Sequence, residues 1–200
     1  MDSPSIDAEM VNRFVRASRL QRTVLRNKPT QVEIIARLLK SERQSQLRAI
    51  RRVSDQGEIG YDILQSSGDD ALRRQVITRY MGAESQSRDA DARALTPLNY
   101  KFRLKAVIDR LGRRIHVFQL TPRQKREGLF KGELWVDEAT GMPVRESGQF
   151  VKTPNPFLKR LRFTRNFELR DGLAFPTQDE ITIDVRFWGR AALNIDFTHN

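Results

Sequence analysis

Between Tyr100 and Asn200 apolar and polar residues alternate with a period of two, stretch after stretch. Tyr100, Phe102, Leu104, Ala106 and Ile108 interleave with Lys101, Arg103, Lys105 and Val107. Leu161, Phe163, Arg165, Phe167 and Leu169 interleave with Arg160, Arg162, Thr164, Asn166 and Glu168. Such alternation sends successive side chains to opposite faces of a strand, so this half predicts about seven antiparallel strands with one apolar and one solvated face. Corners at Leu111-Gly112, Ala139-Thr140-Gly141, Asp171-Gly172 and Gly189-Arg190 separate them. Thr153-Pro154-Asn155-Pro156 is a further break, because proline lacks the N–H that a ladder needs.

The first hundred residues read differently. Met10, Val11, Phe14, Ala17, Val24 and Leu25 recur at three- and four-residue steps, opposite Arg13, Arg16, Arg19 and Arg22, which predicts a helix over 7–27. Asp2, Ser3, Ser5 and Asp7 offer caps, and Asn27 followed by Pro29 stops it. Three strands follow, over about 31–39, 46–54 and 58–65, from the alternation of Val32, Ile34, Ala36 and Leu38 and the turn signal Gln56-Gly57. A second helix over 69–88, capped by Asp69 or Asp70, gathers Leu72, Val76, Ile77, Tyr80 and Met81 on one face. Residues 84–95 read as helix fraying into loop before Thr96-Pro97.

The expected fold is therefore mainly β (α+β): a strongly curved antiparallel sheet or unclosed β-barrel with helices on its concave face. It is expected to form a single domain over 1–200, with the strand run at 99–199.

Area then becomes the deciding quantity. About ten strands at ~4.8 Å spacing and ~25 Å length present roughly 1,200 Å² on one face. Two helices, ~10 Å wide and ~30 Å long, cover about 600 Å² together. The remaining ~600 Å² exceeds the patch that soluble monomers usually leave open. Either the sheet curls until Phe102, Phe118, Phe150, Phe163, Phe167 and Phe187 fill an ordinary core, or an apolar groove remains. The groove is the favoured outcome, and its wall is expected to comprise Phe102, Leu104, Phe118, Leu120, Trp135, Phe163, Phe167, Ile183 and Phe187.

Composition narrows the chemistry. With 36 Lys+Arg against 25 Asp+Glu, the formal charge is +11 and the pI about 10.6, which suits an anionic partner. There are no cysteines, so disulfides, thiolate zinc sites and a cysteine nucleophile are excluded. No apolar run approaches the roughly 20 residues that a membrane-spanning helix needs. Met1-Asp2-Ser3-Pro4 lacks the basic and apolar regions of a signal peptide.

His116 and His199 read as core or surface histidines. Glu133 and Asp137 share a strand face but stand ~13 Å apart, beyond the spacing of paired glycosidase carboxylates. They are expected to pair with arginines on neighbouring strands. No phosphate loop, nucleophile elbow or metal-spaced cluster is present, so no catalytic residue, metal ligand or cofactor is assigned.

Arg51-Arg52, Arg113-Arg114, Arg123 through Arg126, and Lys159-Arg160 with Arg162 are candidate phosphate contacts. Stacking on bases needs aromatics on the cationic face, whereas Phe163 and Phe167 alternate away from Arg160 and Arg162. Most basic residues are accordingly read as a solvated convex face, and nucleic acid is not the favoured partner. In the Thr121–Phe130 loop, Arg123, Lys125 and Arg126 precede Leu129-Phe130. A cationic tip with an apolar end is expected to touch a membrane or a partner protein.

The element order and two segments carry a family resemblance. His116-Val117-Phe118-Gln119-Leu120-Thr121-Pro122 and Gly132-Glu133-Leu134-Trp135-Val136-Asp137-Glu138-Ala139-Thr140-Gly141-Met142-Pro143-Val144 resemble the centre of the periplasmic outer-membrane lipoprotein carrier superfamily (LolA/LolB-like). The resemblance implies an exported protein whose signal is absent from this sequence. It also implies a cavity for acyl chains of lipoproteins or other amphiphiles, with no cofactor and no reaction. Some members hold a helical lid with an arginine; Arg37, Arg48 and Arg51 are its candidates here, none singled out.

The expected function is non-enzymatic binding or transport of a lipid, lipoprotein acyl chain or similar amphiphile. Its partners would be lipid or an acylated protein, with an anionic membrane surface or an envelope protein alongside. The alternatives are an envelope interaction or sensor module of the same fold without lipid cargo, and a basic nucleic-acid binder.

Overall fold

The computed structural model describes residues 6–25, 28–54, 57–85, 90–153 and 155–199. Ten strands run through them: β1 (Thr30–Leu38), β2 (Gln44–Val53), β3 (Ile59–Gly68), β4 (Tyr100–Arg110), β5 (Arg113–Pro122), β6 (Phe130–Asp137), β7 (Pro143–Phe150), β8 (Leu158–Arg170), β9 (Leu173–Val185) and β10 (Gly189–Thr198). All pair antiparallel in the order β3-β2-β1-β10-β9-β8-β7-β6-β5-β4. The sheet does not close, and β3 and β4 are its edges. Each neighbouring pair is consecutive in sequence except β1 and β10, where Ile34 faces Ile195. Local hairpins thus build the two halves, and one long-range pairing joins them.

The turns form where their residues allow. Leu111-Gly112 and Asp171-Gly172 each place both residues at positive φ, the twist that a two-residue hairpin demands. Asp137 organises the Ala139-Thr140-Gly141 corner: its carboxylate accepts from the Thr140 N–H at 2.9 Å and the Thr140 hydroxyl at 2.8 Å. Gly57 also takes positive φ, while Gln56 and Pro154 of the expected breaks lie outside the described residues. The corner expected at Gly189-Arg190 falls slightly earlier, with Phe187 and Gly189 at positive φ and Arg190 already in β10.

Helix α1 (Ile6–Val24) lies where 7–27 was expected; the caps Asp2, Ser3 and Ser5 and the stop Asn27 fall outside the described residues. Only its first half packs as the periodicity predicts. Met10, Val11 and Phe14 are buried, whereas Val24 is exposed. The second half is held by a polar clamp, since the Gln21 amide donates to the Ala174 carbonyl at 2.9 Å and accepts from its N–H at 2.7 Å.

The second helical segment is continuous but changes its winding. Residues Asp70–Leu72 (α2) lead into a π-wound stretch, Arg73–Thr78, and then Arg79–Ser85 (α3). Asp69 is the cap, accepting from the Leu72 N–H at 2.7 Å. That N–H and the Arg43 guanidinium hold its carboxylate at about 2, Arg43 contributing most. Within the expected fraying stretch, α4 (Ala90–Arg93) is a separate short helix, and residues 86–89 lie outside the described residues.

Two apolar clusters result. One sits under α2–α3 and draws on Val32, Ile34, Leu47, Leu72, Ile77 and Leu193. The other sits under α1 and draws on Phe14, Tyr100, Phe118, Leu120, Leu134 and Val136. Phe150 and Phe163 pack against both, and mark the seam.

Candidate functional site

The concave face at that seam is aromatic and only partly sealed. Phe163 meets Phe130 edge-on at 4.8 Å between ring centroids and Phe150 at 5.2 Å. Phe102 meets Phe118 at 6.1 Å. Phe118 and Phe130 are buried, but Phe102, Leu104, Phe150 and Phe163 are half-exposed although they lean on the core. Each such ring pair contributes about 0.5–1.5 kcal/mol beyond its buried area. The unsealed edges are surface that a hydrocarbon ligand would cover.

Charge interrupts this apolar wall at one level. Glu146 of β7 pairs with Arg165 of β8, which pairs with Asp179 of β9. All three occupy the inward phase of their strands, beside Phe163 and Ile181. Arg165 grips Asp179 bidentately, through Nε at 2.8 Å and an Nη at 2.6 Å. Burial raises the Glu146 pKa; Arg165 opposes this and Asp179 adds to it, and the net direction is upward.

A second polar knot ties the helix to the sheet. Glu84 of α3 accepts from the Arg51 guanidinium at 3.0 Å, and the Tyr61 hydroxyl donates to the same carboxylate. Burial alone would raise the Glu84 pKa, but Arg51 and the two hydrogen bonds hold it below the usual value. Tyr80, on the same helix, is pushed well up by burial, with Glu84 and Asp179 reinforcing. Of Arg37, Arg48 and Arg51, it is Arg51 that reaches a helix; Arg37 bonds Gln44 and Arg48 bonds Glu33.

The expected wall residues divide. Phe118, Leu120 and Ile183 are buried, and Phe102, Leu104 and Phe163 line the partly open seam. Phe167 is half-buried beyond a register shift in β8. Trp135 is out of phase with the buried Leu134 and Val136, so it stands on the convex face, bonded to Glu133 and flanked by Arg110 and Arg145. Phe187 is 86% exposed on the β9–β10 turn; Trp188 packs inward instead.

The expected membrane loop is corrected in the same way. Leu129 and Phe130 are buried in the α1 cluster, so the cationic tip does not carry an apolar end. Arg123 is turned back to the Pro97 carbonyl at 2.7 Å and Arg126 to Asn99 at 2.9 Å. Lys125 lines a groove of about 770 Å³ with Gln119, Thr121, Arg123, Lys131 and Gln149. Alternation puts Gln119, Lys131 and Gln149 on the convex side, while Phe150 of the seam borders the same groove.

The remaining sequence candidates are structurally engaged. His116 is buried and bonded to Glu138 at 2.7 Å, and His199 bonds the Pro176 carbonyl at 2.7 Å. Glu133 pairs with Lys105 rather than an arginine, and Asp137 with Arg113. Among the described residues no cluster of three or more His, Asp or Glu is arranged to hold a metal ion. Several proposed phosphate contacts already face acids: Arg52 pairs with Asp62, Arg114 with Glu138 and Arg160 with Asp184.

The inward ionic row was missed by the sequence reading, yet a signal existed. Glu146, Arg165 and Asp179 are charges standing in the apolar phase of alternating strands.

No family model and no curated protein matches this sequence. Among solved structures, the chain is similar to a LolA superfamily protein from Nitrosomonas europaea, with 14% identity, 94% of this chain and 91% of that one covered, and a TM-score of 0.47. An outer membrane lipoprotein-sorting protein domain from Vibrio parahaemolyticus gives 14% identity, 92% and 89% coverage, and a TM-score of 0.47. A DUF1329 family protein from Desulfovibrio piger gives 12% identity, 94% and 91% coverage, and a TM-score of 0.45.

Proposed function

We propose that this chain, acting as a single domain in the cell envelope of the exporting cell, binds an amphiphile non-enzymatically on the concave face of its open sheet. The observation that carries this reading is the seam: Phe102, Leu104, Phe150 and Phe163 turn inward between two packed clusters and remain half-exposed. Taking such a side chain from full exposure to full burial is worth about 1.5–3 kcal/mol, and an acyl chain laid along the seam would collect the fraction that these partly buried residues still leave in water. The neighbouring Glu146 and Arg165 suit a ligand with a polar end better than a plain hydrocarbon. An acyl chain of a lipid or an acylated protein has this character. Nucleic acid is disfavoured, because Phe102, Phe118, Phe150 and Phe163 face the concave side, the convex Trp135 already lies against Arg110 and Arg145, and the convex Arg48 and Arg52 are ion-paired.

Native mass spectrometry of protein purified without detergent is expected to show a copurified lipid. A fluorescent fatty-acid probe should bind the wild type and lose at least ~tenfold in affinity to Phe163→Glu, whose charge would be buried among rings. An empty chain that also ignores the probe defeats the proposal. It would leave an interaction module of the same fold.

A further inference from the structure

Strands in an antiparallel sheet reverse at every turn, so alternate connections gather at one end. Here the turn at 39–43, the connection at 151–157 and the turn at 186–188 share an end. Three exposed apolar side chains project there: Leu39 (57%), Phe157 (37%) and Phe187 (86%). Backbone bonds stitch their turns side by side, from Arg186 N–H to the Phe157 carbonyl at 2.9 Å and from Leu39 N–H to the Arg190 carbonyl at 3.0 Å. The patch is therefore continuous rather than three isolated tips.

Guanidinium groups interleave with it. Arg186 lies over Phe187 at 4.9 Å, Arg79 over Phe157 at 3.9 Å, and Arg43 over Trp188 at 4.5 Å. Two of the acids at this end are already paired, Asp69 with Arg43 and Asp184 with both Arg160 and Arg190. Among the described residues Lys40, Arg79 and Arg186 have no carboxylate within ion-pair distance, and Glu42 is the opposing charge on the same turn. Apolar tips among unneutralised cations are the arrangement that binds the headgroup region of an anionic bilayer: rings enter the acyl boundary while guanidinium groups remain with phosphates. An acidic protein would be held by the charges alone and has no use for Phe187 standing free in solvent.

The geometry points to this rim, formed by Leu39, Phe157 and Phe187 with Lys40, Arg79 and Arg186, as a docking surface for an anionic membrane. It replaces the Thr121–Phe130 loop, whose apolar end is buried. This surface is separate from the concave seam and does not depend on what the seam binds.

Cosedimentation with vesicles tests it, using phosphatidylcholine alone and phosphatidylcholine mixed with phosphatidylglycerol. The wild type is expected on the anionic vesicles, weakly or not at all on the zwitterionic ones, and less at high salt. Leu39→Ser with Phe187→Ser should lower partitioning about tenfold, and Lys40→Glu with Arg186→Glu should abolish it. Both pairs lie on exposed turns, so circular dichroism and fatty-acid-probe binding should remain at wild-type values. Failure of the wild type to bind anionic vesicles overturns the inference. So does a serine variant that binds as well as the wild type, which would mark the surface as purely electrostatic and suited to an acidic protein. Loss of probe binding in the wild type bears instead on the seam.

Discussion

Glu146 is a carboxylic acid on the inward side of a sheet whose neighbours there are largely apolar. Its folded pKa lies above the ordinary value, chiefly because burial disfavours the charged form. Between the unfolded value, about 4.3, and the raised folded one, the native state binds more protons than the unfolded state. Stability attributable to this group is therefore present below that window and falls as pH rises through it. Glu146→Gln removes the titration while keeping the shape. The variant should melt higher than wild type at neutral pH, and the difference should close as pH drops below about 4. Thermal melts across pH check this; an advantage that does not change with pH contradicts it.

At the scale of elements, the helical segment from Asp70 to Ser85 is bound to the sheet by two kinds of contact. Leu72, Val76, Ile77 and Met81 bury an apolar stripe, while Glu84 fixes the far end to Arg51 and Tyr61. The π-wound stretch, which carries Val76 and Ile77, shifts the helical phase, and apolar and polar anchors both reach the sheet. Glu84→Ala leaves Arg51 unpaired. The cost should be about 2 kcal/mol, below that of orphaning a fully buried charge because both side chains keep about a fifth of their surface. Hydrogen exchange should accelerate in Arg79–Ser85 before it does so in β1 or β10. Because the Glu84 pKa is depressed, this tether is complete above about pH 4.3 and weakens as pH falls. Helix α1 relies on Met10, Val11 and Phe14 at one end and Gln21 on Ala174 at the other, so its second half has little apolar hold.

The whole molecule is a sheet with two edges and two apolar clusters that meet at an incompletely buried aromatic seam. If the seam takes an amphiphile, binding adds to folding stability by mass action. A ligand at a hundred times its dissociation constant contributes about 2.7 kcal/mol, which for a chain of this size raises Tm by roughly 5–10 °C. A short-chain lysophospholipid held below its micelle concentration should produce that rise in the wild type and a much smaller one in Phe163→Glu. No rise in the wild type counts against a lipid-binding seam.

How much of this was legible follows from particular residues. Alternation placed Phe102, Leu104, Phe118, Leu120, Phe163 and Ile183 on one side correctly, since burial on a one-faced sheet enforces parity. The same parity read closely separates Trp135 from Leu134 and Val136. Phe187 was misplaced because a turn releases its residues from the strand rule. Leu129 and Phe130 were read as an exposed tip because nothing local announces that α1 lies over them. Arg51 and Glu84 stand 33 residues apart, and no pattern within either element joins them.

The amino-acid sequence by itself determined the ten-strand alternation, the two helices and most corners, because period, proline and glycine act over a few residues. The tertiary structure alone decided which face is concave, that β1 meets β10, where the charged row lies, and which hydrophobic ends stay in water. Those outcomes depend on how the sheet curves and what the helices cover, and curvature is a property of all the strands together.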